Sequence, residues 1–197
     1  MKHKYLREKG YSMSPYFYKL SHSLISDILK EKIIKLSNEQ LGEFVSYTGQ
    51  RTGKADGNHF YFGKLLNEDP EIISLISSCT LRCFPIIILH YPNTKVLRHI
   101  DNPNKRNCVL LTPVFPTVNY TPTWFWNPTG PFEEWEEEEM TPAATCEFEN
   151  MNSVVLNTQQ PHSLQTTDSF RMNFQLCFED RFETVVSCVQ NNTLFKN

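Results

Sequence analysis

The chain has 197 residues, 40% apolar and 21% charged, and its 14 Phe, 8 Tyr and 3 Trp exclude a disordered polymer. A domain of this length buries about 70% of its unfolded surface, and its longest apolar run, FPIIIL at residues 84–89, falls far short of the roughly 20 residues that span a membrane. The net charge is −3, and six of the 22 acids are Glu133, Glu134, Glu136, Glu137, Glu138 and Glu139. The remaining 16 acids face 19 bases, which is not the strong basic excess of a nucleic-acid binder.

The first 80 residues read as helical. Leu24, Ile25, Ile28, Leu29, Ile33 and Leu36 fall on one stripe at helical spacing, and Leu41, Phe44 and Val45 suggest a short second helix. Residues 49–63 carry four Gly and no periodicity and read as a loop. Asp69-Pro70 is a helix start, an N-cap with Pro at the first helical position. Beyond residue 81 the texture changes to short β-rich runs at 82–91, 95–101, 107–114, 143–148, 152–157, 160–166 and 169–178, parted by turn residues. Strands in series without intervening helices argue for an antiparallel sandwich or barrel. The expected fold is therefore a mainly β jelly roll (a double-stranded β-helix) over 81–190, with helices of residues 1–80 packed outside it in a single domain.

The six Cys form no CxxC pair and mostly sit in apolar runs, as small buried hydrophobes do, which predicts a reducing compartment. The N-terminal MKHKYLREKG has no apolar stretch behind it, so a cytoplasmic protein without a signal peptide is expected.

One constellation carries chemistry. On a strand, residues i and i+2 share a face, so His99 and Asp101 project together. His162 opens a distant β run and supplies a third donor. Two imidazoles and one carboxylate on one face of a metal form the facial triad of non-haem Fe(II) oxygenases, with the opposite face open. Arg171 stands nine residues after His162 on the next run, and a short turn brings it alongside. Its guanidinium offers a permanently charged fork suited to the far carboxylate of a dicarboxylate co-substrate.

Residues 90–111, HYPNTKVLRHIDNPNKRNCVLL, resemble the iron-binding strand pair of the oxygen-sensing prolyl hydroxylases, in the prolyl 4-hydroxylase-like branch of the 2-oxoglutarate and Fe(II)-dependent dioxygenases. Residues 152–180, NSVVLNTQQPHSLQTTDSFRMNFQLCFED, resemble that family's segment with the distal His and the co-substrate Arg. The resemblance implies that His99, Asp101 and His162 bind Fe(II) and that Arg171 pairs with the distal carboxylate of 2-oxoglutarate. It also implies that the Tyr91 phenol lines the co-substrate pocket. The family's hydroxyl-bearing position beyond the metal pair falls near Val114, so Thr112 is the expected substitute, and Asn173 is the expected second polar contact. The loop between Tyr91 and His99 is shorter by two residues than in the family. Because Asp101 is retained where the family's halogenases have a small residue, the implied reaction is hydroxylation by O2 with release of succinate and CO2. The substrate implied is a protein or peptide side chain, prolyl first. The competing readings are the same chemistry on a free amino acid, small metabolite or nucleobase, and a jelly roll that binds metal without turnover.

Residues 115–142 gather Tyr120, Trp124, Phe125, Trp126, Phe132 and Trp135 with the Glu run. They read as cover for one end of the barrel with hydrated carboxylates. The alternative is a grip on a basic or Pro-containing peptide, and the same acidity disfavours a nucleic-acid substrate.

Overall fold

The computed structural model describes residues 14–46, 58–127, 142–166 and 168–196. The Glu run, Phe132 and Trp135 lie outside them. Eleven strands are described, β1 (Phe17–Lys19), β2 (Val45–Ser46), β3 (Asn58–Tyr61), β4 (Cys83–His90), β5 (Lys95–His99), β6 (Cys108–Phe115), β7 (Thr123–Phe125), β8 (Ala144–Cys146), β9 (Val154–Leu156), β10 (His162–Gln165) and β11 (Arg171–Phe178). They pair antiparallel into a major sheet of order β1-β9-β6-β11-β4-β3-β2 and a minor sheet of order β5-β10-β7-β8. Four helices accompany them, α1 (Asp27–Glu39), α2 (Lys64–Glu68), α3 (Pro70–Ser78) and α4 (Phe182–Gln190). This is a jelly roll with helices outside. Among the described residues, no helix is long and apolar enough to cross a membrane.

The strand alternation explains the two cores. Along β4, Ile87 and Leu89 join a cluster with Leu29 and Ile33 of α1, Ile72 of α3 and Val185 of α4. Ile86 and Ile88, one step out of phase, join Phe125 of β7 and Cys146 of β8 between the sheets. Both faces of the major sheet are thus covered, and so β4 reads as a continuous apolar run instead of an alternating one. β11 divides in the same way. Phe174, Leu176 and Phe178 face the helices, whereas Cys177 faces the minor sheet, in phase with Arg171, Asn173 and Gln175.

All seven sequence-expected β runs contain a strand, but the first 80 residues are not purely helical. Residues 41–43 form a single 3-10 turn that leads into β2, where a second helix was expected. The expected loop contains β3, whose residues pair with β4 from Asn58↔His90 to Tyr61↔Ile87. A two-residue strand and a four-residue strand are too short to show periodicity, and tertiary pairing decides them.

α1 and α3 are fastened at their N-termini. The Ser26 hydroxyl accepts from the Leu29 amide (3.1 Å) and donates to Glu71 Oε2 (2.6 Å). Asp69 Oδ1 accepts from the Glu71 and Ile72 amides, and Oδ2 pairs with Lys32 Nζ at 2.6 Å. Burial raises the Asp69 pKa, but Lys32 and the two amides outweigh it, so the net shift is downward. Asp69→Ala removes the cap and is expected to cost about 1–2 kcal/mol. The check is the urea midpoint at neutral pH, and an unchanged midpoint refutes this role for the cap.

Candidate metal centre

His99 ends β5, His162 begins β10, and the two residues lie opposite each other in the register of that strand pair. Their ring centroids are 4.3 Å apart. Asp101 follows two residues after His99, with its Oδ1 3.6 Å from His99 Nε2. One ligand atom from each of His99, Asp101 and His162 lies within 4.8 Å of the others. The segment carrying Asp101 is docked onto the hairpin before β10, because the Asp101 amide donates to the Thr158 carbonyl at 3.0 Å. His162 Nδ1 lies 2.9 Å from the Gln160 carbonyl, a contact that places the proton on Nδ1 and leaves Nε2 as the lone-pair donor.

The electrostatics favour the donor forms that a metal requires. Burial, reinforced by the neighbouring His99, pushes the His162 pKa down to about 4, with Asp101 opposing the shift. Burial works to raise the Asp101 pKa, but Arg106 and the two imidazoles hold it well below the usual carboxylate range. A neutral imidazole and an ionised carboxylate are the states that ligate. The set of two nitrogens and one oxygen matches the Fe(II) facial triad and leaves the opposite coordination positions to exogenous ligands.

A second polar pocket adjoins. Arg171 opens β11 opposite His90 of β4 and is 1% exposed. Its guanidinium lies 4.6 Å from the ring centre of Tyr120 and 5.7 Å from that of Phe148. Nη2 donates to Thr123 Oγ1 at 3.4 Å, while Nε has no hydrogen-bond partner. Among the described residues, no carboxylate pairs with it. A desolvated cation without a counter-ion is costly, so this pocket is built for an anion. β7 connects it to the metal cluster. Thr123 meets Arg171, and Phe125, on the same face two residues later, packs on His162 with centroids 6.1 Å apart. Two residues of strand span about 7 Å.

The structure thus gathers His99, Asp101, His162, Arg171 and Asn173 on the barrel interior. Asn173 is fully buried; its Oδ1 accepts from Gln175 Nε2 at 2.8 Å and its Nδ2 has no partner. It does not bring Thr112 there. The β6–β11 register, which runs unbroken from Cys108↔Phe178 to Pro113↔Asn173, sets Thr112 opposite Phe174. Thr112 therefore takes the helix-side phase, where its hydroxyl meets Ser153 Oγ at 2.7 Å. Thr112 shares this phase with Cys108 and Leu110, and because β6 is apolar on both faces its sequence does not mark which phase is the interior. Tyr91 stands one residue beyond β4, its ring against His59 and Phe170 and the helix-side core, and it is the buried His90 that lies opposite Arg171. Sequence reasoning missed His90, Tyr120, Thr123, Phe148 and Arg106. The aromatic cluster at 120–126 was the available signal for Tyr120 and Thr123, since Tyr120, Phe125 and Trp126 are buried as barrel cover should be.

No family model and no curated protein matches the chain, but solved structures do. A prolyl-4-hydroxylase from Pseudomonas putida superposes with a TM-score of 0.50 at 13% identity, over 84% of this chain and 92% of that one. A member of the 2OG-Fe(II) oxygenase family from Burkholderia pseudomallei gives a TM-score of 0.50 at 9% identity, covering 84% and 85%. The fold is that of the 2-oxoglutarate–Fe(II) oxygenases. EvdO2 from Micromonospora carbonacea var. aurantiaca, complexed with 2-oxoglutarate, is similar at a TM-score of 0.51 and 16% identity, covering 82% and 85%.

The low His162 pKa sets a pH dependence for the metal-free protein. The imidazole is neutral when folded down to about pH 4 and takes up a proton near the ordinary 6.5 when unfolded. Between those values the unfolded state binds the extra proton, so stability falls as pH drops from 6.5 toward 4, by about 3 kcal/mol from this group. Urea titrations at pH 7.5, 6 and 5 should show the decline, and His162→Gln should flatten it. Equal slopes in the two proteins refute the assignment.

Proposed function

We propose that this chain is an Fe(II)- and 2-oxoglutarate-dependent dioxygenase that hydroxylates a protein or peptide side chain, prolyl being the first candidate, with release of succinate and CO2. The observation that carries the reading is Arg171, a guanidinium buried, among the described residues, without a paired anion in the same barrel as the three-residue cluster. His99, Asp101 and His162 would hold the metal, and Arg171 would hold the distal carboxylate. Thr123 orients the guanidinium from one side, the Tyr120 ring lies against its face, and the Asn173 Nδ2 proton remains to be donated. When bound, Fe(II) supplies the activation of O2 toward a C–H bond. The chain supplies a fixed donor set, an anchored co-substrate tail and apolar walls that exclude water.

The likeness to the Pseudomonas putida prolyl-4-hydroxylase supports a peptide substrate, and the 2-oxoglutarate bound to EvdO2 supports that co-substrate. A small-molecule substrate is the second reading, favoured by the likeness to SnoN, an alpha-ketoglutarate-dependent epimerase from nogalamycin biosynthesis, at a TM-score of 0.51 and 14% identity, covering 81% and 76%. The six thiols are all free, which supports the reducing environment of the cytoplasm.

The test is incubation with Fe(II), 2-oxoglutarate and O2, with peptide and metabolite panels, counting succinate against product gaining one oxygen. Arg171→Met leaves a co-substrate carboxylate unpaired, a loss of about 2–5 kcal/mol, and should raise the 2-oxoglutarate KM at least roughly 30-fold. His99→Ala and His162→Ala should lose both Mn(II) binding, followed by calorimetry, and turnover. Tight metal binding by the wild-type protein with no 2-oxoglutarate consumption on any panel overturns the enzymatic reading.

A further inference from the structure

Resting on that functional reading, we propose that Arg106 is a positioning residue that occupies Asp101 Oδ2 and confines a bound metal to Oδ1, which keeps one coordination position open. Arg106 Nε lies 3.3 Å from Asp101 Oδ2, while Oδ1 is the oxygen turned toward His99. The first contact is a charge pair and not an aligned hydrogen bond, since both atoms lack a hydrogen-bond partner. Its separation is set by backbone. The Asp101 amide donates to the Thr158 carbonyl, and the Arg106 carbonyl accepts from Thr158 Oγ1 at 2.8 Å and from Gln159 Nε2 at 3.0 Å, so one hairpin anchors both residues. Within the intervening turn the Arg106 amide donates to the Asn102 carbonyl at 2.9 Å. The far end of the side chain is held too, Nη2 donating to Gln175 Oε1 at 2.8 Å and Gln175 Nε2 donating to Asn173 Oδ1 at 2.8 Å.

A carboxylate has two oxygens, and a hard divalent cation accepts either one or both. Bidentate binding by Asp101 would raise the protein's donors from three to four and remove a position from the exogenous ligands. A permanent cation fixed on Oδ2 makes that mode unfavourable, because the metal would have to approach a guanidinium to reach the second oxygen. Arg106 thus bears on denticity, a property that a merely structural arginine leaves alone.

The two possibilities predict opposite signs, which Mn(II)-substituted protein separates. Binding is followed by calorimetry, and metal-bound waters are counted from the broadening of the Mn(II) paramagnetic resonance in 17O-water. Arg106→Met should bind Mn(II) at least about five-fold more tightly than wild type and carry one fewer bound water. After addition of 2-oxoglutarate the wild type should retain one water and the variant none. Arg106→Lys, which keeps the charge, should restore the wild-type water count. Weaker Mn(II) binding in Arg106→Met with an unchanged water count would reduce Arg106 to a structural residue and overturn the proposal. If Arg106→Met does not fold, Gln175→Leu, which frees the far end of Arg106 and also releases Asn173 Oδ1, should shift Mn(II) affinity and water count without 2-oxoglutarate in the same directions by a smaller amount, and no shift overturns the proposal. Wild-type protein that binds no Mn(II) refutes the metal reading itself, an outcome separate from any Arg106 result.

Discussion

A guanidinium at 1% exposure, with no carboxylate paired to it among the described residues, is tolerable only where the surrounding structure leaves it no alternative. Arg171 cannot turn toward the helices, because its neighbours in strand phase there are Met172 and Phe174, which are packed into an apolar core. Its backbone is fixed in the β4–β11 ladder opposite His90, so its side chain points into the interior in phase with Asn173 and Gln175. The protein gives it partial compensation through the faces of Tyr120 and Phe148 and one long hydrogen bond to Thr123. This leaves charge and donor capacity directed into the barrel, which is how a binding site is built in advance of its ligand.

The same alternation organises the rest. The major sheet needs helices on one face to cover Ile87, Leu89, Leu110 and Phe174, and it needs the minor sheet on the other. Where the two sheets meet, Cys177 stands opposite Phe84 at one end of the interior and Arg171 opposite His90 at the other, with Ile88 opposite Asn173 between them. Moving along β11 from Cys177 to Arg171 is therefore a passage from dry core to ligand site in steps of two residues. The candidate metal-ligating histidines sit on the minor sheet, whose β5–β10 pairing brings His99 opposite His162. The site forms where the polar end of one sheet faces the donor-bearing edge of the other.

These arrangements were unequally legible in the amino-acid sequence. His99 and Asp101 declared themselves because an i, i+2 spacing on an expected strand implies a shared face, and His162 and Arg171 each lay near the start of a run with strong β texture. Resemblance added their roles. Parity alone does not say which phase faces the interior when both faces of a strand are apolar, and Thr112 is the case in point, since it falls in phase with Cys108 and Leu110 on the helix side. Tyr91 and His90 show the same limit at a strand end. Arg106 was invisible for another reason. It lies in a turn, NPNKR, whose charged residues read as solvated, and only the docking of that turn onto the Thr158–Gln159 hairpin directs it inward. β3 and the 3-10 turn at 41–43 were lost because short elements take their structure from their neighbours.

The two interior arginines differ in what surrounds them. The Asp101 charge is taken up by Arg106 and the imidazoles, whereas burial opposes the Arg171 charge and, among the described residues, no carboxylate is paired with it. A cation already spent on a neighbouring carboxylate has little left for a further anion, so Arg106 can steady Asp101 without competing for a ligand. A desolvated guanidinium whose partners are two aromatic faces and one threonine hydroxyl keeps its fork for an incoming carboxylate. Two residues of one type on one interior therefore suit different tasks, and their neighbours decide which.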